Sequence, residues 1–175
     1  FTPRPQVLLE SCSSGGNRFD LGMLCYSPQI WSSDDTDPIE RLSIQEGLSY
    51  FYPPCTMGAH VSQSPHQQTL RQTPLSTRFN VAAFGVLGYE LDLGELSPQE
   101  KKQVAAQIEW YKKYRPTLQY GDFFRVITRR QGLVSWAAVT PDKKQAVVLL
   151  AQRLCTAAPP ADYLTVPGLK PEARY

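Results

Sequence analysis

Two acidic residues follow a tryptophan in the run Gln29-Ile30-Trp31-Ser32-Ser33-Asp34-Asp35-Thr36-Asp37. A carboxyl beside an aromatic face loses hydration, which favours its proton-carrying form and suits it to general acid catalysis. Trp31 also offers a flat face on which a sugar ring can stack. The same run reads equally as a solvated loop leading into a capped helix. Capping accounts for Asp37 and leaves Asp34 as the acid without a structural duty. Upstream, Cys12-Ser13-Ser14-Gly15-Gly16 ends another apolar segment, and its glycines let backbone N–H groups approach a ligand's hydroxyls. A tight turn is the plainer account of that glycine pair. A cysteine nucleophile would need a base nearby, and neither His60 nor His66 is placed by the sequence to supply one. Arg18, Asp20 and His60 are the remaining candidates, each with a structural role as the simpler reading.

Such residues need strands to deliver them to one edge. Short apolar runs at Gln6–Ser11, Gln29–Ser33, Cys55–Val61 and Tyr89–Leu93 alternate with helix-like stretches, which predicts an α/β architecture with a parallel sheet. In barrels of this grammar the chemistry sits where each strand ends and its loop begins. Asp37-Pro38-Ile39-Glu40 predicts a helix start with a capping box. That helix is expected to turn Ile39, Leu42, Leu48 and Phe51 to the core and to stop at Pro53-Pro54. Ser97-Pro98-Gln99-Glu100 repeats the start signal for a helix through Val104, Ile108 and Tyr111, ending near Arg115-Pro116. Lys112, Lys113 and Arg115 would then complement the negative end of its dipole. Beyond Gly121 the pattern changes to successive strands at Phe123–Ile127, Leu133–Val139 and Gln145–Leu150, the expectation for an antiparallel β domain. Trp110, Trp136 and the tyrosines read as core or interdomain packing.

The chain opens at Phe1 inside an apolar segment, without an initiator Met, and reads as a piece of a longer protein. With 42% hydrophobic residues it can bury a core. A net charge of +2 on scattered lysines and arginines argues against a nucleic-acid partner. No apolar run has the length of a membrane span. The four cysteines lie far apart without a paired spacing or a histidine at ligand distance, which argues against zinc and favours structural thiols in a reducing compartment.

Taken in order, Glu10-Ser-Cys-Ser-Ser-Gly-Gly, Arg18-Phe-Asp20, Trp31-Ser-Ser-Asp34, Ile39-Glu-Arg-Leu42, Tyr52-Pro-Pro, Met57-Gly-Ala-His-Val-Ser62 and Gly88-Tyr-Glu-Leu-Asp-Leu93 resemble the glycoside hydrolase family 36 α-galactosidases. The likeness extends to Arg115-Pro116 and Gly121-Asp122-Phe123. It implies a large enzyme with an N-terminal β-sandwich, a central (β/α)8 TIM barrel and a C-terminal β domain, commonly a homotetramer, while the reduced thiols favour a bacterial, cytoplasmic protein. Residues 1–121 would be the second half of the barrel, and residues 122–175 the start of an antiparallel β domain. The implied reaction is retaining hydrolysis of terminal α-galactosyl residues from oligosaccharides such as melibiose and raffinose, without metal or organic cofactor. By matched position, the resemblance implies Asp34 as acid/base and Cys12 as a residue lining the galactose site. Ser14 and Gly15 would offer backbone contacts, Trp31 would wall the pocket, and the nucleophilic aspartate would lie upstream of Phe1. Asn17 departs from a common third glycine, His66-Gln67 from a usual Asn-His pair, and Cys25 from a frequent Tyr. An α-N-acetylgalactosaminidase and a raffinose-synthase-type transferase are the neighbouring chemistries. A non-catalytic carbohydrate-binding or assembly role is the alternative for the fragment by itself.

Overall fold

Four short strands, each advancing one place across a parallel sheet, carry the first part of the chain. They are β1 (Glu10–Ser11), β2 (Gln29–Trp31), β3 (Met57–Ser62) and β4 (Val86–Glu90). Helix α1 (Pro38–Leu48) joins β2 to β3, and α2 (Leu75–Ala82) joins β3 to β4. Helix α3 (Pro98–Tyr120) then leads into an antiparallel sheet of β5 (Asp122–Arg125), β6 (Leu133–Val139) and β7 (Ala146–Gln152). The computed structural model describes residues 3–12, 19–128, 130–154, 157–158, 161 and 163–175. The protein is thus α/β with a separate antiparallel sheet, and Ser14, Gly15, Asn17 and Arg18 lie outside the described residues.

Alternation along the parallel strands gives the sheet two unlike faces. Ile30, Met57, Ala59 and Val61 are buried on the helix side, with Leu87 and Tyr89 packed behind them. Glu10, Gln29, Trp31, Gly58, His60, Gly88 and Glu90 share the other face through the registers Glu10↔Gln29, Trp31↔Gly58, His60↔Gly88 and Ser62↔Glu90. The apolar core does not stop at the antiparallel sheet. Trp136, Ala138, Val147 and Leu149 belong to the same buried cluster as Leu42, Ala59, Phe79 and Tyr111.

Several local expectations are corrected. Strand β1 is confined to two residues, and β4 lies three residues earlier than the predicted Tyr89–Leu93, because the chain turns at Leu91 to Gly94, where the Gly94 N–H bonds Asp92. Helix α1 ends at Leu48, short of Pro53, and Phe51 stands 81% exposed in the turn that follows. Asp37 caps α1 as read, accepting the N–H groups of Ile39 and Glu40. The capping box is incomplete, since the Asp37 N–H goes to Asp35 and the Glu40 carboxylate goes to Arg71. At α3 the box is complete between Ser97 and Glu100. That helix runs through Pro116 to Tyr120, because a proline there removes one N–H while buried Thr117 and Leu118 hold the last turn in the core. Lys112, Lys113 and Arg115 consequently lie before the last turn. Trp136 is 1% exposed, whereas Trp110 is 37% exposed and packs edge-on against Phe79.

Candidate active site

The C-terminal edge of the parallel sheet gathers the polar residues. Trp31 is the last residue of β2, and three residues on, Asp34 turns back so that its Oδ1 accepts the indole N–H at 2.8 Å. Among the described residues this is the hydrogen bond of the Asp34 carboxyl, which is otherwise exposed. Extending the β1–β2 register by one residue sets exposed Cys12 alongside Trp31. The end of β2 thus brings Trp31 and Asp34 together, with Cys12 one register step beyond β1.

The neighbouring acids have structural duties. Asp35 accepts the Asp37 N–H at 3.0 Å and lies 4.0 Å from His66 Nε2. Asp37 is fully buried, and its carboxylate also accepts from Thr69 Oγ1 at 2.6 Å and from Arg71. Burial alone would push this carboxyl up, but the hydrogen bonds from Thr69, Ile39 and Arg71, with the charge of Arg71, outweigh it and hold it below the usual value. Asp20 accepts the Met23 N–H and closes a turn.

His66, offered by sequence as a departure from a family pattern, is 2% exposed and organises its loop. Its Nδ1 accepts the backbone N–H groups of Gln68 and Thr69 at 3.4 and 3.3 Å. Nε2 therefore carries the hydrogen and directs it to Thr36 Oγ1 at 3.1 Å. A groove of about 230 Å³ opens beside it, lined by Thr36, Ser62, His66, Gln67, Glu90 and Asp92 among others. Asp34, Trp31 and Cys12 lie outside that lining.

Three residues that sequence reasoning gave no role complete the edge. Arg41 on α1 is 2% exposed; its guanidinium donates to the Gly58 carbonyl at 2.8 Å and to Ser32 Oγ at 3.2 Å. It also lies 5.3 Å from the centre of the Trp31 ring. Burial lowers its pKa to about 10, against the opposing pull of Asp35 and Glu90, so it remains a cation at neutral pH. Glu90 ends β4 and lies 3.6 Å from His60 Nδ1. Gly88 faces the His60 ring across the ladder, where a Cβ would come within 2.5 Å of it. A glycine inside a strand signals such close approach, but the partner is known only once the register is.

The three cysteines described, Cys12, Cys25 and Cys55, are free thiols. No group of residues that could hold a metal ion, and no helix long and apolar enough to cross a membrane, occurs among the described residues.

Residues 2–121 match the Melibiase family, and residues 133–175 match the glycosyl hydrolase family 36 C-terminal domain. α-Galactosidase 1 of Pediococcus pentosaceus is 47% identical over 99% of this chain, and α-galactosidase AgaA of Geobacillus stearothermophilus 44% over 98%. Both alignments cover 24% of the relative, so the chain spans about a quarter of the length of the curated relatives it matches. Among solved structures, the α-galactosidase of Lactobacillus brevis superposes with a TM-score of 0.94 at 48% identity, over 97% of this chain and 23% of its own. A variant of AgaA in complex with raffinose superposes at 0.93 and 42% identity, over 97% of this chain and 24% of its own.

Proposed function

Because the chain belongs to the glycosyl hydrolase family 36 α-galactosidases, we propose that it is part of an enzyme removing terminal, non-reducing α-D-galactosyl residues from oligosaccharides, with Asp34 as its acid/base. The observation that carries this reading is the place of Asp34. It is an exposed carboxyl immediately beyond a parallel strand, oriented by a neighbouring indole, while Asp35 and Asp37 are committed to the backbone. The relatives' complexes with raffinose and stachyose support an α-galactoside as substrate.

In this reading the sheet of β1 to β4 is the second half of a (β/α)8 barrel, with residues 1–121 in the barrel and 122–175 in the C-terminal β domain. The nucleophilic aspartate comes from an earlier strand, outside this chain. It attacks the anomeric carbon while Asp34 gives its proton to the departing glycosidic oxygen. Asp34 then takes a proton from the water that releases galactose. Retention requires the two carboxyls to stand about 5–5.5 Å apart. Cys12 lines the galactose site, the Ser14 and Gly15 backbone contacts its hydroxyls, and Trp31 walls it. The intact protein is a cytoplasmic tetramer that takes no cofactor.

The test is Asp34→Ala in the intact enzyme. Hydrolysis of an α-galactoside with a sugar leaving group is expected to fall by about 10²–10⁴-fold. Added azide is expected to restore turnover on an activated aryl α-galactoside and to give α-galactosyl azide, since azide attacks the β-galactosyl-enzyme from the face that Asp34 has vacated. Undiminished hydrolysis by the variant would remove Asp34 from the mechanism.

A further inference from the structure

The face of the parallel sheet turned away from the helices carries two aromatic rings in contact. Trp31 and His60 have centroids 4.4 Å apart and planes tilted by 47°. Both lie over strand positions occupied by glycine. A Cβ at Gly58 would meet Trp31 Cε3 at 3.2 Å, and one at Gly88 would meet the His60 ring at 2.5 Å. Two glycines in neighbouring strands thus clear the floor on which the rings sit. From the α1 side, the buried Arg41 guanidinium lies 5.3 Å from the Trp31 ring centre and is itself pinned to the Gly58 carbonyl and Ser32. His60 is held in turn by Glu90 at 3.6 Å.

A ring so confined has one free polar atom, the indole N–H, and it points at Asp34 Oδ1. An N–H donor on Oδ1 leaves that oxygen as the acceptor of the carboxyl. When Asp34 is protonated, the hydrogen accordingly sits on Oδ2. The plane of the indole therefore decides which oxygen presents the proton and in what direction. A wall for the sugar would need Trp31 only as a surface, and would not need its N–H spent on the acid.

We propose that His60 is a positioning residue: with Arg41 it fixes the plane of the Trp31 indole, whose N–H orients the Asp34 carboxyl for proton transfer. This rests on Asp34 being the acid/base. Proton donation matters for a leaving group that departs poorly and little for one that departs unaided, so the leaving group separates positioning from general damage.

The experiment compares intact wild-type enzyme with His60→Gln, Gly88→Ala and Asp34→Ala on two substrates. One has a sugar leaving group and the other is 2,4-dinitrophenyl α-galactoside. His60→Gln removes the ring, whereas Gly88→Ala keeps it and displaces it, so either variant can be read if the other fails to fold. For both, kcat/KM on the sugar substrate is expected to fall about 10- to 100-fold, the penalty of a misplaced catalytic group. On the dinitrophenyl substrate it should stay within about threefold, and added azide should raise kcat there. Equal losses on both substrates, or wild-type values on both, would overturn the role of His60 while Asp34→Ala still shows the leaving-group split. If Asp34→Ala itself shows no split, the acid/base reading fails, and the positioning proposal with it.

Discussion

At the scale of single residues, Asp37 shows how a side chain beside a candidate site can be fully occupied by structure. One oxygen takes the first N–H groups of α1 and the Arg71 guanidinium, and the other takes the Thr69 hydroxyl. Loss of the whole side chain in Asp37→Ala would strip the cap and leave Thr69 and Arg71 short of partners, at about 2–3 kcal/mol. Asp37→Asn keeps a competent cap and loses the charge. Since the Arg71 side chain is 37% exposed, solvent screens the pair and the expected loss is nearer 1 kcal/mol. The sign of the pH dependence follows from a carboxyl held below its ordinary 3.8. Its contribution is complete above that unfolded value and is lost as pH falls through the lower folded one. Unfolding of wild type and Asp37→Asn followed from pH 6 downward should therefore show a constant difference above about pH 4 that shrinks below it. The cap was legible in the sequence because Asp-Pro-x-Glu is a local code. The contacts of Arg41, His60 and Gly88 were not, because each depends on what lies across a strand or behind a helix.

At the scale of elements, the join between β4 and α3 rests on one phenol. The Tyr111 hydroxyl donates to the Gly85 carbonyl at 2.8 Å and accepts from the Leu87 N–H at 3.2 Å and from Gln119 Nε2 at 2.9 Å. The residue is 7% exposed, and burial raises its pKa, so the hydroxyl stays protonated and keeps its donor. Tyr111→Phe would leave buried backbone groups at the start of β4 unsatisfied, and we expect a loss of about 1–3 kcal/mol in unfolding experiments on the intact protein. Hydrogen exchange at Leu87 should rise with it; unchanged protection there would mean that water replaces the phenol. Sequence periodicity put Tyr111 on the inner face of α3 correctly, because a long capped helix states its own period. It misplaced β4 because Val81 to Leu91 is nearly continuous in apolar residues and α2 and β4 share that run. It stopped α3 at Pro116 because a local rule cannot register that Thr117 and Leu118 are anchored by tertiary contacts, Thr117 donating to Gln145 at 2.9 Å.

At the scale of the molecule, the two sheets are packed as one body. Trp136 of β6 is buried against Phe84 and donates its N–H to Glu46 of α1 at 3.2 Å. Arg125 of β5 donates to the Ser49 carbonyl at 2.8 Å, and its guanidinium lies 4.0 Å from the Tyr50 ring centre. The apolar interior is therefore well closed between the sheets, and the open surfaces lie elsewhere. Among the described residues the parallel sheet ends at β1 on one side and β4 on the other, each with one edge unpaired. Large apolar side chains also stand in solvent, with Leu8 at 85%, Phe51 at 81% and Ile127 at 93% exposure. Unpaired strand edges and exposed apolar groups are templates for association. Since the chain spans about a quarter of its relatives, those surfaces are where the remainder of an α-galactosidase would pair and pack. Residues 1–175 expressed alone are accordingly expected to elute as aggregates in size-exclusion chromatography and, on the function proposed above, which places the nucleophile outside this chain, to show no α-galactoside hydrolysis. A monodisperse monomer with measurable turnover would overturn both parts, since it would require a closed sheet and a complete pair of carboxylates within these residues.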